Sequence, residues 1–70
     1  MDWPRIVGAN IRRLRKDRRA TQEDLADEAG LDAGYLGKIE RGLENPSLKK
    51  LVGIANALGV SPGVFFARLK

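Results

Sequence analysis

The stretch Thr21–Arg41, TQEDLADEAGLDAGYLGKIER, constrains the fold more than any other part of this 70-residue chain. Thr21 can cap a helix through its hydroxyl, and Asp24, three residues later, completes a capping box. Gly30 accepts the positive φ that ends a helix, and Asp32 can cap a second one. Apolar residues follow helical spacing in both segments: Leu25, Ala26, Ala29, Leu36 and Ile39. The stretch therefore predicts a helix-turn-helix with a close helix crossing.

A helix pair of this kind has two interpretations. It can be an ordinary helical hairpin inside an all-α bundle, or a DNA-binding motif whose second helix presents its N-terminal residues to the major groove. Caps, glycine and apolar spacing all agree with the second arrangement, so we favour DNA binding.

Composition excludes several classes of protein. The chain has no cysteine and no histidine, which excludes disulfides, thiolate metal sites, and the commonest metal ligand and general base. We expect one domain spanning residues 1–70, with its motif at 21–41. No membrane-length apolar run or signal peptide is recognised, so we expect a soluble, cytoplasmic protein. An enzyme is not expected, because the acids Asp24, Asp27 and Glu28 lie on surface faces of one short helix.

Charge is unevenly distributed along the chain. The net charge is +4, made of +5 over residues 1–20, −5 over residues 21–46 and +4 over residues 47–70. A basic protein suits a polyanion, yet the helix pair itself is acidic. Attraction to phosphate must therefore come mainly from the flanks and from backbone amides at helix N-termini.

The first flank predicts a helix over residues 1–17, capped by Asp2 and with Pro4 at an early position. Gly8 is expected to weaken this helix slightly. The exposed face and exit loop are basic, through Arg12, Arg13, Lys16, Arg18 and Arg19. Each arginine alone is best explained as a solvated side chain, but the cluster beside a helix-turn-helix is expected to meet phosphate. Arg15 lies close to the buried stripe, and we expect it to form an ion pair with Glu40 of structural importance.

The second flank predicts a loop over residues 41–46 and a fourth helix capped by Ser47 and ended by Gly59. A fifth helix is expected from Ser61-Pro62, with Ser61 as its cap and with apolar residues Val64, Phe65, Phe66 and Leu69. One phenylalanine should fill the core and the other should stay near the surface. An exposed aromatic there is either an interface residue or an ordinary exposed side chain.

With these five helices, residues from about Gly8 to Phe66 resemble the lambda-repressor-like helix-turn-helix regulators, the Cro-type or xenobiotic-response-element family. The segments that carry the resemblance are IRRLRKDRRATQEDLADEAG, YLGKIERG, ENPS, LVGIANALGV and SPGVFF. The resemblance implies an all-α, compact five-helix DNA-binding domain that binds double-stranded DNA without a cofactor. It also implies a homodimer on a two-fold-related operator, and we expect it to form through the C-terminal helix region.

The resemblance further implies roles for single residues. Gln22 opens the second helix close to base and phosphate, and the recognition helix, about residues 32–41, points Ala33, Gly34, Gly37 and Lys38 outward. We expect base contacts from Gln22, Ala33, Gly34 and Lys38. We expect backbone contacts from Arg12, Arg19, Tyr35, Gly37, Arg41, Asn45 and Ser47.

The chain departs from the family at Ala33 and Gly34, where the family often has long polar side chains. Direct reading of bases then falls on Gln22, Lys38 and, in one alternative, Tyr35, which can instead pack or touch phosphate. We therefore expect modest base discrimination, supplemented by DNA shape and dimer spacing. The alternative function is a protein–protein interaction module, antitoxin-like or adaptor-like, with weak or no DNA binding on the same fold. The basic flanks and Gln22 argue against it.

Overall fold

Helices account for the regular structure of residues 2–68, the part of the chain that the computed structural model describes. The four α-helices are α1 (Trp3–Asp17), α2 (Gln22–Ala29), α3 (Ala33–Glu40) and α4 (Leu48–Leu58), and a 3-10 helix follows at Pro62–Phe66. None of the helices between residues 2 and 68 has the length and apolar character needed to cross a membrane.

The four α-helices begin where the sequence predicts. The side chains of Asp2, Thr21, Asp32 and Ser47 each accept a hydrogen bond from the backbone N–H three residues later. At α2 the capping box is complete, because the Asp24 carboxylate also accepts from the Thr21 N–H at 3.2 Å. These caps satisfy amides that would otherwise lack an intrahelical partner.

The same four helices end in one backbone pattern, in which an N–H donates to the carbonyl five residues earlier. The pairs are Ala20 to Arg15, Leu31 to Ala26, Leu43 to Lys38 and Val60 to Ala55. Before the donor stands a residue with positive φ, which is Gly30 (72°), Gly42 (76°), Gly59 (70°) or, after α1, Arg19 (58°). Three of these helix ends have glycine, which the left-handed geometry favours, whereas the end of α1 has an arginine.

The core lies where α1 and α4 pack with the α2–α3 pair and the 3-10 helix. Its fully buried apolar side chains include Ile11, Leu36, Ile39, Ile54 and Phe65. Phe65 is 0% exposed and Phe66 is 41% exposed, which confirms that one phenylalanine fills the core and its neighbour stays near the surface.

Gly8 is not the weakness that the sequence suggested. A Cβ at this position would lie 2.1 Å from the carbonyl oxygen of Ile39 and 2.9 Å from that of Glu40. The backbones of α1 and α3 therefore meet at Gly8. Glycine lowers the helix propensity of α1 but allows this close approach, which any larger residue would prevent.

The predicted fifth α-helix is wrong, because Pro62–Phe66 forms a five-residue 3-10 helix. Ser61 makes no side-chain cap bond, and Ala67 is already extended. The buried Asn10 amide instead donates to the carbonyls of Phe65, at 2.8 Å, and Ala67, at 2.7 Å. These carbonyls are satisfied by α1 rather than by a further helical turn. Leu69, which the fifth helix was expected to include, lies outside the described residues.

Candidate nucleic-acid interface

The outer face of α3 carries the exposed residues Gly34 and Lys38, while its inner face buries Leu36, Ile39 and the charged Glu40. Gly34 and Lys38, one helical turn apart, are both exposed. Leu36 and Ile39, on the opposite face, are 0% exposed and anchor α3 in the core. Burial of one face thus leaves the Gly34–Lys38 face open, as the helix-turn-helix geometry requires.

The neighbouring positions of α3 are less accessible than the sequence suggested. Ala33 is half-buried and packs against the core. Gly37 is buried, so the expectation of an outward Gly37 is wrong. The side chain of Gln22 lies over it, and a Cβ on Gly37 would be 3.3 Å from the Gln22 Oε1. Gln22 from α2 therefore occupies the space that a side chain at Gly37 would fill.

A buried polar network joins the three helices behind this face. The Arg15 Nε donates to the Glu40 Oε2 at 2.7 Å, and its Nη2 donates to the Oε1 at 3.0 Å. The predicted ion pair is thus confirmed, with the Arg15 side chain 10% and the Glu40 side chain 1% exposed. The hydrogen bond to Glu40 raises the pKa of Arg15 above its ordinary value, against the opposing effect of burial.

Two further hydrogen bonds complete the network. The Arg15 Nη1 donates to the Ala20 carbonyl at 2.8 Å, which holds the turn between α1 and α2. The Gln22 Nε2 donates to the Glu40 Oε1 at 3.0 Å. Sequence reasoning missed this bond, because helical spacing alone does not tell which side chains of α2 reach the last turn of α3.

The segment that follows α3 along the chain also carries polar groups. Arg41, Asn45 and Ser47 are all exposed, and Ser47 caps α4. Tyr35 is half-buried, and the Lys50 Nζ lies 4.6 Å from its ring centroid. This cation–π contact orients the tyrosine, so Tyr35 is a packed side chain with a polar tip rather than a free one.

The basic flank is divided between free and engaged side chains. Arg12 and Lys16 are exposed, and helical spacing places them beside Gly8 and Arg15, on the α3 side of α1. Other members are engaged. Arg13 lies 3.8 Å from Asp17, and Arg18 donates to the Ala57 carbonyl. Arg19 is exposed and borders a cleft of about 460 Å³ with acids of α2. The contact with Asp17 offsets part of the positive charge of Arg13, while the hydrogen bond of Arg18 to a neutral carbonyl leaves its charge unchanged.

The acids of the motif are also partly engaged. Asp24 and Asp32 cap helices, and Glu40 is paired with Arg15. Within residues 2–68 the structure contains no group of three side chains with the arrangement needed to hold a metal ion.

Arg19 is a position where stability and phosphate binding are expected to oppose each other. Arg19→Gly should raise the free energy of unfolding by about 1 kcal/mol, because the left-handed conformation strains a residue with a Cβ. It should also lower the salt dependence of DNA binding by about one phosphate contact. Urea unfolding and binding at several salt concentrations measure the two effects. Arg19→Ala is the control, expected to lose the same contact without the gain in stability. A gain in stability with unchanged DNA binding would show that Arg19 meets no phosphate.

An exposed apolar surface lies on another part of the molecule. The Trp3 and Phe66 rings form an edge-to-face pair with centroids 5.8 Å apart. Together with Leu48 they border a groove of about 190 Å³, which Asn45 also lines. We call Trp3, Leu48 and Phe66 the Trp3 patch. All three side chains are exposed, and such clusters are typical of interfaces.

Comparison with known proteins matches this geometry to a family. The helix-turn-helix family model matches residues 11–65. The "Uncharacterized HTH-type transcriptional regulator y4dJ" of Sinorhizobium fredii is 43% identical over 61 residues, which cover 87% of this chain and 79% of that protein. The immunity repressor protein of Bacillus phage phi105 is 48% identical over 54 residues, 77% of this chain but 38% of the repressor.

Solved structures agree with the sequence relatives. The restriction-modification controller protein C.AhdI from Aeromonas hydrophila superposes with a TM-score of 0.88 at 38% identity, over 90% of this chain and 96% of that chain. The biofilm master regulator SinR, solved in complex with DNA, superposes with a TM-score of 0.82 at 34% identity. The match covers 87% of this chain and 98% of the SinR chain. The chain belongs to the lambda-repressor-like helix-turn-helix family of DNA-binding transcriptional regulators.

Proposed function

We propose that the protein is a sequence-specific transcriptional regulator that binds, as a homodimer, a two-fold-related operator in the cytoplasm. The observation that carries this proposal is the open Gly34–Lys38 face of α3 beside Gln22, at the second helix of a helix-turn-helix. In this arrangement α3 enters the major groove.

Base recognition would use four residues. Lys38 suits the O6 and N7 acceptors of guanine, and Gln22 suits adenine. Ala33 can contact a thymine methyl group, and Gly34 allows the α3 backbone to approach the bases closely. Among these four residues only Lys38 and Gln22 have polar side chains. Discrimination between bases in each half-site would therefore be modest, and DNA shape would add to the specificity.

Backbone phosphates would be held by polar groups of α1, of the turn after it and of the segment that follows α3. These are the exposed Arg12, Arg19, Arg41, Asn45 and Ser47, together with the hydroxyl of Tyr35. Phosphate contacts fix the position of the protein on the duplex, whereas base contacts determine the sequence that it selects.

The Trp3 patch is the surface that we propose for dimerisation. It joins the start of α1, the start of α4 and the 3-10 helix, which extends the expected C-terminal interface to α1 and α4. A symmetric dimer buries the same patch twice. Two recognition helices would then meet half-sites about 34 Å apart on one face of the DNA.

Selection from a genomic fragment library at several salt concentrations tests this function. We expect recovered fragments to share a two-fold-related motif, with affinity that falls steeply as salt rises because phosphate contacts release counterions. Recovery of no shared motif, or affinity insensitive to salt, would contradict the proposal and favour a protein–protein interaction module.

Lys38→Ala should weaken binding to selected sites by about 1–3 kcal/mol and leave binding to unrelated DNA nearly unchanged, because it removes a base contact. Lys16→Ala is the matched control, since it removes the same charge from an exposed position of α1. It is expected to weaken both kinds of DNA by the same small factor. Equal losses on both kinds of DNA for Lys38→Ala would show that Lys38 holds phosphate instead.

Leu48→Glu should raise the dimer dissociation constant by about tenfold or more, or about 1.4 kcal/mol, because it puts a charge into the Trp3 patch. Sedimentation equilibrium measures this change. Leu43→Glu is the matched control, because Leu43 is 65% exposed and Leu48 is 69% exposed, while Leu43 lies outside the patch. An equal effect of the two substitutions would contradict this dimer surface.

A further inference from the structure

We propose that Glu40 is a positioning residue for base recognition, because it holds the Gln22 carboxamide with its NH2 group turned inward and its oxygen available to DNA. The consequence at DNA depends on the proposed function, while the orientation itself is a property of the free protein. A side chain from α2 thereby becomes a fixed part of the surface of α3.

The carboxylate of Glu40 is well placed to impose this orientation. Its Oε1 accepts from the Arg15 Nη2 and from the Gln22 Nε2, both at 3.0 Å, while its Oε2 accepts from the Arg15 Nε. The Glu40 side chain is 1% exposed, so water does not compete at this site. A carboxylate accepts and does not donate, so Gln22 must present its NH2 group to Glu40 rather than its carbonyl.

Gly37 provides the place where the carboxamide rests. A Cβ there would lie 3.3 Å from the Gln22 Oε1 and 3.5 Å from the Nε2, which is tighter than ordinary contact for the first atom. The missing side chain at Gly37 therefore lets Gln22 lie against α3 and reach Glu40, three residues further along that helix. Two positions of α3 together determine where a side chain of α2 points.

This orientation has a consequence for specificity. Glu40 accepts from one N–H of the NH2 group and so fixes the carboxamide plane. In this orientation the Oε1 is expected to pair with a donor such as the N6 of adenine. A carboxamide that rotates freely offers donor and acceptor equally and must be ordered on binding. Glu40 is therefore expected to sharpen the base preference of Gln22 without touching DNA.

Nuclear magnetic resonance of the free protein tests the orientation first. The order parameter of the Gln22 side-chain NH2 group should be close to that of rigid backbone, about 0.85, and fall below about 0.6 in Glu40→Gln. In Glu40→Gln the side chain at position 40 keeps one acceptor oxygen, and Arg15 competes with Gln22 for it. Gly37→Ala should lower the order parameter less, because a contact of 3.3 Å needs only a small shift of the Gln22 side chain, and it leaves the ion pair intact. Arg15→Lys is the control, because it perturbs the ion pair and leaves the Glu40 Oε1 to Gln22.

Binding to operator variants tests the consequence. Glu40→Gln should reduce the preference at the base read by Gln22 by about fivefold, and it should have no effect on that preference in the Gln22→Ala background. Unchanged Gln22 order in Glu40→Gln would overturn the proposal. Equal losses of affinity for every base, with and without Gln22, would overturn it as well. Absence of any operator would contradict the proposed function, and the measurement without DNA would still decide the orientation.

Discussion

Gly8→Ala is expected to lower the free energy of unfolding by about 3 kcal/mol, although alanine is the better helix former by about 1 kcal/mol. The added Cβ would lie 2.1 Å from the Ile39 carbonyl oxygen. That oxygen belongs to the backbone of α3, so no side-chain rotation relieves the clash and the two helices must separate. Urea unfolding followed by circular dichroism measures the change.

Gly53→Ala is the matched control for this prediction. Gly53 also lies inside a helix, but a Cβ there would meet the Ala29 carbonyl oxygen at 3.5 Å, an ordinary contact. We expect this variant to be unchanged or more stable by up to about 1 kcal/mol. Similar stabilities for the alanine variants at Gly8 and Gly53 would contradict the close approach of α1 and α3.

Arg15→Met is expected to cost about 3–5 kcal/mol, because it leaves the Glu40 carboxylate buried without its cation. Thermal or urea unfolding measures the loss. The double variant Arg15→Met with Glu40→Leu is expected to recover most of the stability, since replacing both partners by apolar side chains removes the buried charge. If the double variant is as unstable as Arg15→Met alone, the loss comes from packing rather than from an uncompensated charge.

The ion pair should contribute little to the pH dependence of stability through Arg15. The raised pKa of Arg15 means that its contribution is complete below the ordinary arginine pKa and is lost only as pH rises through the higher folded value. That window lies at strongly alkaline pH, far from neutrality.

The sequence predicted the features that depend on local chemistry. The caps at Thr21, Asp32 and Ser47 and the left-handed Gly30 follow from a few neighbouring residues, and the structure confirms them. The Arg15–Glu40 pair was predictable because both residues lie beside buried positions of their helices. The caps and the left-handed glycine need no knowledge of how helices cross, whereas the ion pair joins α1 and α3 and was predicted from opposite charges beside two buried stripes.

Features that depend on how the helices meet were not predicted. The role of Gly8 requires the distance between α1 and α3, and the bond from Gln22 to Glu40 requires the angle between α2 and α3. Asn10 has the sequence pattern of one more position of α1, yet its amide holds the carbonyls of Phe65 and Ala67 at the end of the 3-10 helix. Each depends on partners far along the chain, which periodicity does not reveal.

The insertion of α3 into DNA is tested most directly by mapping backbone and side-chain amide resonances during titration with a selected operator. The largest changes are expected at Gly34, at Lys38 and at the Gln22 NH2 group, with little change at Asp27 and Glu28. The same titration with unrelated DNA should produce smaller changes at Gly34 and Lys38, because base contacts are lost. Changes centred on the Trp3 patch, with α3 unaffected, would contradict recognition through this helix.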